Sequence, residues 1–266
     1  MLYNPLMAIA VFTDIHGNLE ALEAILKDIH KKRRTIKQTY FLGDAVTFGA
    51  DSSKCLKLLQ KYNVLCVMGN HEQRLVRYDK SVSEMTHAGI KHMEWVYHSL
   101  DNDDIRFIKS MPLYRTLDYR GFRLYFSHYM HDENGVVCED MDCFREDLLD
   151  KSFDRAKIDC DIAFLGHLHE RKIYIRSKGR SYFCLDASGM GTNNRTSYLF
   201  FDIGTEADNQ FDFYRIPLKY DRAKFEEKIR NTDIPEKIRF AKAYYGLDLD
   251  PKPTVVVKQE TEDLDD

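Results

Sequence analysis

The chain has 266 residues, 44% hydrophobic and 12% aromatic, enough apolar material for a large α/β domain and too much for a disordered chain. The formal net charge of −4, from 39 Lys and Arg against 43 Asp and Glu, argues against a broad nucleic-acid-binding face, because tracking phosphates needs clustered cations. A small anionic substrate stays open, since bound cations can supply local positive charge.

Residues 7–12 (MAIAVF) form a short apolar run ending in a polar turn, as a buried strand should. The start lacks a basic n-region and a small-residue cleavage site. No apolar run approaches the roughly 20 residues that span a bilayer, so the expectation is a soluble, cytoplasmic protein. Residues 17–32 follow as a helix, with Leu19, Leu22, Ile25, Leu26 and Ile29 at helical spacing. Its basic end, Lys31 to Arg34, suits the helix dipole better than a nucleic acid. The theme repeats with a strand at 38–42, a helix at 52–62, a strand at 64–68 and a helix from about Glu72. Residues 83–111 read as helix, closed by Pro112. They are expected as a helical insertion, spanning about 80–112, over the site edge, with Trp95 packing as core and His87, His92 and His98 unrelated, since steps of five and six residues share no helix face. Strands are expected at 122–127, 162–165, 173–175, 182–185, 198–203 and 211–215, and helices near 220–230 and 235–245. Two face-to-face sheets with helices outside fit this order. One domain is expected over residues 1–247, and 248–266 reads as an acidic, solvated tail. The cysteines, Cys55, Cys66, Cys138, Cys143, Cys160 and Cys184, form no CxxC pair and read as free thiols.

Five polar motifs each follow a strand: Asp14-Ile15-His16-Gly17-Asn18, Gly43-Asp44, Gly69-Asn70-His71-Glu72, Ser127-His128 and Gly166-His167-Leu168-His169. Ligands of α/β sheets bind beyond the carboxyl ends of strands, so the five converge in space. Carboxylate, amide and imidazole without thiolate suit Mn, Fe, Zn, Co or Ni rather than structural zinc. On an extended segment Asp14 and His16 would point the same way, as would His167 and His169. The glycines before Asp44, Asn70 and His167 permit close backbone approach. Counting ligands gives two metal ions, with Mn or Fe preferred: Asp14, His16 and His169 for the first, Asn70, His128 and His167 for the second, and Asp44 between them. His71 is left over, placed to donate a proton to a leaving group. Asn18, His131 and Arg195 are candidate substrate contacts.

The ordered set D-x-H, G-D, G-N-H-E, H, G-H-x-H resembles the calcineurin-like metallophosphoesterase superfamily over about residues 7–203. The resemblance implies an α/β/β/α sandwich and a dinuclear hydrolase of phosphate esters. The stretch DIHGNLEALEAIL, from Asp14, is similar to the bacterial branch that includes phosphodiesterases and dinucleoside-polyphosphate hydrolases, so a small nucleotide-like substrate is expected. Protein phosphatases of the superfamily carry G-D-x-V-D-R-G. Here Thr47 stands where the partner of the catalytic His would be and Phe48 where the phosphate-holding Arg would be. That disfavours the alternative of a phosphomonoesterase or protein phosphatase and leaves Asp51 as the candidate to orient His71. A further alternative, a non-catalytic scaffold, is disfavoured because every expected ligand is kept. Substrate, native metals and oligomeric state stay open.

Overall fold

In the computed structural model, which describes residues 8–77, 86–131, 137–138, 144–174, 179–203 and 210–249, all five residues of β1 (Ala8–Phe12) are buried, as in a strand covered on both faces. α1 (Leu19–Lys31) buries Leu22, Ile25, Leu26 and Ile29 along one stripe. β2 (Ile36–Phe41), α2 (Ser52–Lys61), β3 (Leu65–Cys66) and α3 (Asn70–Val76) complete a strand-helix alternation. α4 (His87–His98) and α5 (Asn102–Ser110) form the expected helical stretch; residues 78–85 lie outside the described residues. The second half holds β4 (Tyr114–Tyr119), β5 (Phe122–Ser127), β6 (Met130–His131), β7 (Val137–Cys138), α6 (Glu146–Arg155), β8 (Ile162–Leu165), β9 (Lys172–Tyr174), β10 (Ser181–Cys184), β11 (Arg195–Ile203) and β12 (Phe211–Lys219). α7 (Arg222–Asn231) and α8 (Lys237–Tyr245) follow.

One sheet runs β12-β11-β1-β2-β3, with β1, β2 and β3 parallel and β11 antiparallel to both its neighbours. The other runs β4-β5-β8-β10-β9, with β5, β8 and β10 parallel between antiparallel edges. Their facing surfaces share Val11, Tyr40, Phe126, Phe164 and Phe201. The Tyr40 and Phe126 rings stack at 3.8 Å. α1 and α2 cover the outer face of the first sheet through Leu22, Ile25, Leu56 and Leu59. α6 covers the second through Leu149 and Phe153. The result is the expected four-layered α/β/β/α order. All six parallel strands end toward the loops that carry the five motifs.

β4, the β6–β7 pair and α6 are additions to the expected elements, and β11 and β12 are longer than expected. Cys55, Cys66, Cys160 and Cys184 are free and buried, and burial pushes the Cys160 and Cys184 thiols up to about 12. Cys143 and residues 250–266 of the acidic tail lie outside the described residues. Among the described residues no helix is long and apolar enough to cross a membrane.

Candidate metal centre

Asp14 lies just beyond β1. Its N–H donates to Gly43 O at 3.0 Å and the His16 N–H to Asp44 O at 2.9 Å, joining the first two motif loops. Asp14 Oδ2 accepts from Thr13 Oγ1 (2.6 Å) and from the His167 N–H (3.2 Å). Oδ1, fully buried, has no hydrogen-bond partner among the described residues. It faces His169 Nε2 at 3.2 Å and His16 Nε2 at 3.6 Å, and those nitrogens are 3.3 Å apart. Donors around one cation at about 2.0–2.2 Å sit at such separations from one another.

A second group abuts the first. His128 Nε2 is 2.9 Å from Asn70 Oδ1 and 3.2 Å from Asp44 Oδ2, and His167 Nδ1 is 3.1 Å from Asn70 Oδ1. Asp44 Oδ2 also lies 3.8 Å from His16 Nε2, so a single oxygen faces both groups. Asp44 Oδ1 accepts the His71 N–H at 2.9 Å. Nδ1 of His128 donates to Leu42 O (2.8 Å) and Nδ1 of His16 to Val46 O (3.1 Å), which turns both Nε2 lone pairs inward. The Asn70 side chain faces two ring nitrogens and a carboxylate. Turned end for end, the amide nitrogen faces those three atoms and its oxygen accepts from Arg74 Nη1 at 3.0 Å. The orphaned Asp14 oxygen, the inward lone pairs and the absence of thiolate from the donor set fit a borderline divalent metal.

Burial alone would raise the Asp14 and Asp44 pKa values. The charge of His128 and the close approach of the surrounding imidazoles outweigh it and hold both carboxyls well below their usual range. Burial likewise opposes a charged His128, yet Asp44 and Asp14 push it up to about 9. Burial, helped by the His128 charge, brings His167 down to about 4. Burial also holds His71 well below its ordinary value. Asp14, His16, Asp44 and His128 are at most 1% exposed, while the His71 and His169 side chains are 14% and 29% exposed, so the site opens on their side.

The ligand loops are not extended. Asp14, His16, Asp44, His167 and His169 all have φ between +46° and +70°. The expected strand-like alternation in D-x-H and H-x-H is therefore replaced by paired left-handed residues flanking a buried apolar one, Ile15 or Leu168. Such residues cost of order 1–3 kcal/mol each and persist where the surroundings over-determine them. Close approach does depend on glycine. A Cβ on Gly69 would fall 2.1 Å from Asp44 Oδ1, and one on Gly166 2.2 Å from Thr13 Oγ1.

The loop after β2 is held by residues to which motif reading gives no role. Glu72, in the first turn of α3, accepts the N–H groups of Asp44 (2.8 Å), Ala45 (2.8 Å), Val46 (3.2 Å) and Gly69 (2.9 Å). Ser52 Oγ accepts from Thr47 N and His92 Nε2 from Phe48 N, each at 3.2 Å. His92, expected to be unrelated to the site, thus braces it from α4, and its Nδ1–H donates to Pro235 O. Trp95 packs partly buried beside it, as expected of a helix-packing residue.

His71 joins the second edge of the centre, its Nε2 3.8 Å from Asp44 Oδ2. Asp51 does not orient it: that carboxylate is bound by Lys54 (2.6 Å) and Lys228 (2.5 Å). Asn18 is fully buried, and its amide caps α1 through Ala21 N (3.1 Å) and donates to Gly189 O (2.7 Å), which commits it to the scaffold. His131 is buried in β6 and lines a separate cavity of about 250 Å³ with Tyr114, Tyr125 and Lys157. Arg195 is exposed and lines a cleft of about 660 Å³ with His169, Met190, Asn193, Arg215 and Tyr244.

Residues 7–171 match the model of the calcineurin-like phosphoesterases. An uncharacterized protein of Methanocaldococcus jannaschii is 32% identical over 244 residues, covering 86% of this chain and 94% of the relative. A metallophosphoesterase structure from Sphaerobacter thermophilus superposes with a TM-score of 0.62 at 21% identity, covering 88% of this chain and 99% of its own. A hypothetical protein from Pyrococcus horikoshii superposes with a TM-score of 0.66 at 16% identity, covering 91% and 99%. At such identities the two structures speak for the fold.

Proposed function

The chain belongs to the calcineurin-like phosphoesterase family, and on that premise we infer that it hydrolyses a small, nucleotide-like phosphate diester or dinucleoside polyphosphate using two divalent metal ions. The observation that carries this reading is Asp44 Oδ2, which lies 3.2 Å from His128 Nε2 and 3.8 Å from His16 Nε2 and so belongs to two donor groups at once. In this reading Asp14, His16 and His169 hold one ion, Asn70, His128 and His167 the other, and Asp44 is shared. Mn or Fe suits these donors best, and Zn, Co and Ni are compatible. When bound, the pair supplies Lewis acidity that makes a water nucleophilic near neutral pH and neutralises phosphate oxygens.

The chain's own residues do the remaining work. The buried carboxylates and imidazoles keep the donor geometry fixed before substrate arrives. His71 rests neutral, because burial holds its pKa down. Its partly open ring takes a proton from solvent at Nε2 and passes it to the leaving oxygen. Arg195 and the cleft beside His169 receive the rest of the substrate. A volume of about 660 Å³ lies within the usual range for nucleotide-sized ligands. Phe48 offers no guanidinium to a terminal phosphate, which favours diesters over phosphopeptides.

The test is a panel of cyclic nucleotides, dinucleoside polyphosphates, phosphopeptides and p-nitrophenyl mono- and diesters, assayed with added Mn alongside elemental analysis. Turnover of nucleotidic diesters or polyphosphates above phosphopeptides is expected. A metal-free chain with no turnover of any ester would overturn the reading.

A further inference from the structure

Thr47 and Phe48, consecutive in the loop between β2 and α2, have φ of +75° and +58°, a region that β-branched and bulky residues avoid. The backbone is locked there by neighbours on several elements. Val46 N donates to Glu72, Thr47 N to Ser52, Phe48 N to His92 and Gly49 N to His16 O. A glycine at position 47 would adopt this conformation without steric cost. A threonine held against its preference points to a use for its side chain.

That side chain is fully buried between two rings of the site. Thr47 Oγ1 lies 3.0 Å from His71 Nδ1 and 3.2 Å from His16 Nδ1. A hydroxyl has one proton and two lone pairs. Here the proton goes to Val46 O, which leaves the lone pairs for the rings. Among the described residues no carboxylate competes for His71 Nδ1: Asp51 is bound by lysines, and Asp44 faces Nε2. The Phe48 ring, 5.0 Å from that of His71, walls its other side.

We propose that Thr47 is the positioning residue of His71. Its hydroxyl accepts the Nδ1–H, fixes that tautomer and the ring plane, and so keeps Nε2 aimed at the edge of the centre beside Asp44. The consequence for rate rests on the phosphoesterase reading above; the tautomer does not.

The experiment compares Thr47→Val, Thr47→Ser and Thr47→Gly in the full chain. Nitrogen-15 NMR of the His71 ring, with diamagnetic zinc bound, reports the tautomer. The wild type and Thr47→Ser are expected to show a protonated Nδ1 and a pyridine-like Nε2, and Thr47→Val a shift toward Nε2–H. With a diester whose leaving group is an alkoxide, Thr47→Val and Thr47→Gly are expected to lower kcat about 10- to 100-fold with KM and metal content unchanged. The loss is smaller with p-nitrophenoxide, which needs less protonation, and Thr47→Ser recovers most of kcat. Thr47→Gly keeps the melting temperature of the wild type while losing rate, a combination a purely structural threonine would not give. An unaltered tautomer in Thr47→Val, or full kcat in both Thr47→Val and Thr47→Gly, would overturn the proposal. If the wild type turns over no phosphate ester, the phosphoesterase reading fails by itself and the NMR comparison still decides the role of Thr47.

Discussion

Glu72 holds Asp44 by its backbone: the buried Glu72 Oε2 accepts the Asp44 N–H at 2.8 Å. The same carboxylate takes three more N–H groups, and burial together with the Asp44 charge pushes its pKa up to about 7. Glu72→Ala would orphan four buried donors, each costing roughly 1–3 kcal/mol if left unmade. Partial relaxation of the loop brings the expected loss to about 3–5 kcal/mol in urea unfolding, with metal affinity about 10- to 100-fold weaker. Unchanged affinity in Glu72→Ala would show that the loop after β2 keeps its shape without this anchor.

Metal uptake should release protons. In the metal-free site Asp44 and Asp14 push His128 up to about 9 against its burial, and the adjacent Asp14 carboxylate raises His169 against the same penalty. A cation at Nε2 must displace the His128 proton. Apparent affinity should therefore fall about tenfold for each pH unit from 9 down to 7. Calorimetry in buffers of different ionisation enthalpy should find at least about one proton released at pH 7. Affinity independent of pH over this range would mean that His128 is not a ligand.

Much of the site could be read from the chain because its loops follow local rules. β1, β5 and β8 are short apolar runs broken by polar or glycine residues, and their ends place Asp14, His128 and His167 without any long-range information. β4 was not legible because Tyr114–Tyr119 (YRTLDY) puts Arg115 on the half-buried face, where it donates to Cys66 O, and so breaks the apolar alternation of an edge strand. α6 was missed because only Leu149 and Phe153 are buried along it. The contacts of Thr47 with His71 and His16 cross 24 and 31 positions, and no periodicity encodes them. His92 looked unrelated to the site for the same reason, since its partners, Phe48 and Pro235, come from other parts of the chain.

That brace has a signature in pH. Both ring nitrogens of His92 are engaged, and burial brings its pKa down to about 4. In the unfolded chain it titrates near 6.5. Its contribution is therefore intact above about 6.5 and is lost as pH falls toward 4, because the unfolded chain takes up a proton that the folded one refuses. Between pH 7 and 5 this amounts to about 2 kcal/mol. His92→Gln should be less stable at pH 7 but should lose about 2 kcal/mol less than the wild type on going to pH 5, measured by urea unfolding. Equal slopes in the two proteins would remove His92 as the source.

Gly69 gives a purely steric test of the shared carboxylate. Its φ is −89°, which any residue adopts, so alanine there carries no left-handed backbone penalty. The added Cβ would lie 2.1 Å from Asp44 Oδ1 and 2.5 Å from Asp44 N, distances that force the Asp44 loop aside. Gly69→Ala should retain helix and sheet content by circular dichroism, bind less than half the metal of the wild type, and lose turnover in proportion. Gly121→Ala is the matching control. It imposes alanine at φ +80° with nothing within 4 Å of the new methyl, so it strains the backbone far from the centre. It should lower the melting temperature while leaving metal content intact. If Gly69→Ala binds metal normally, then Asp44 tolerates displacement, and one carboxylate oxygen cannot be what ties the two groups of donors together.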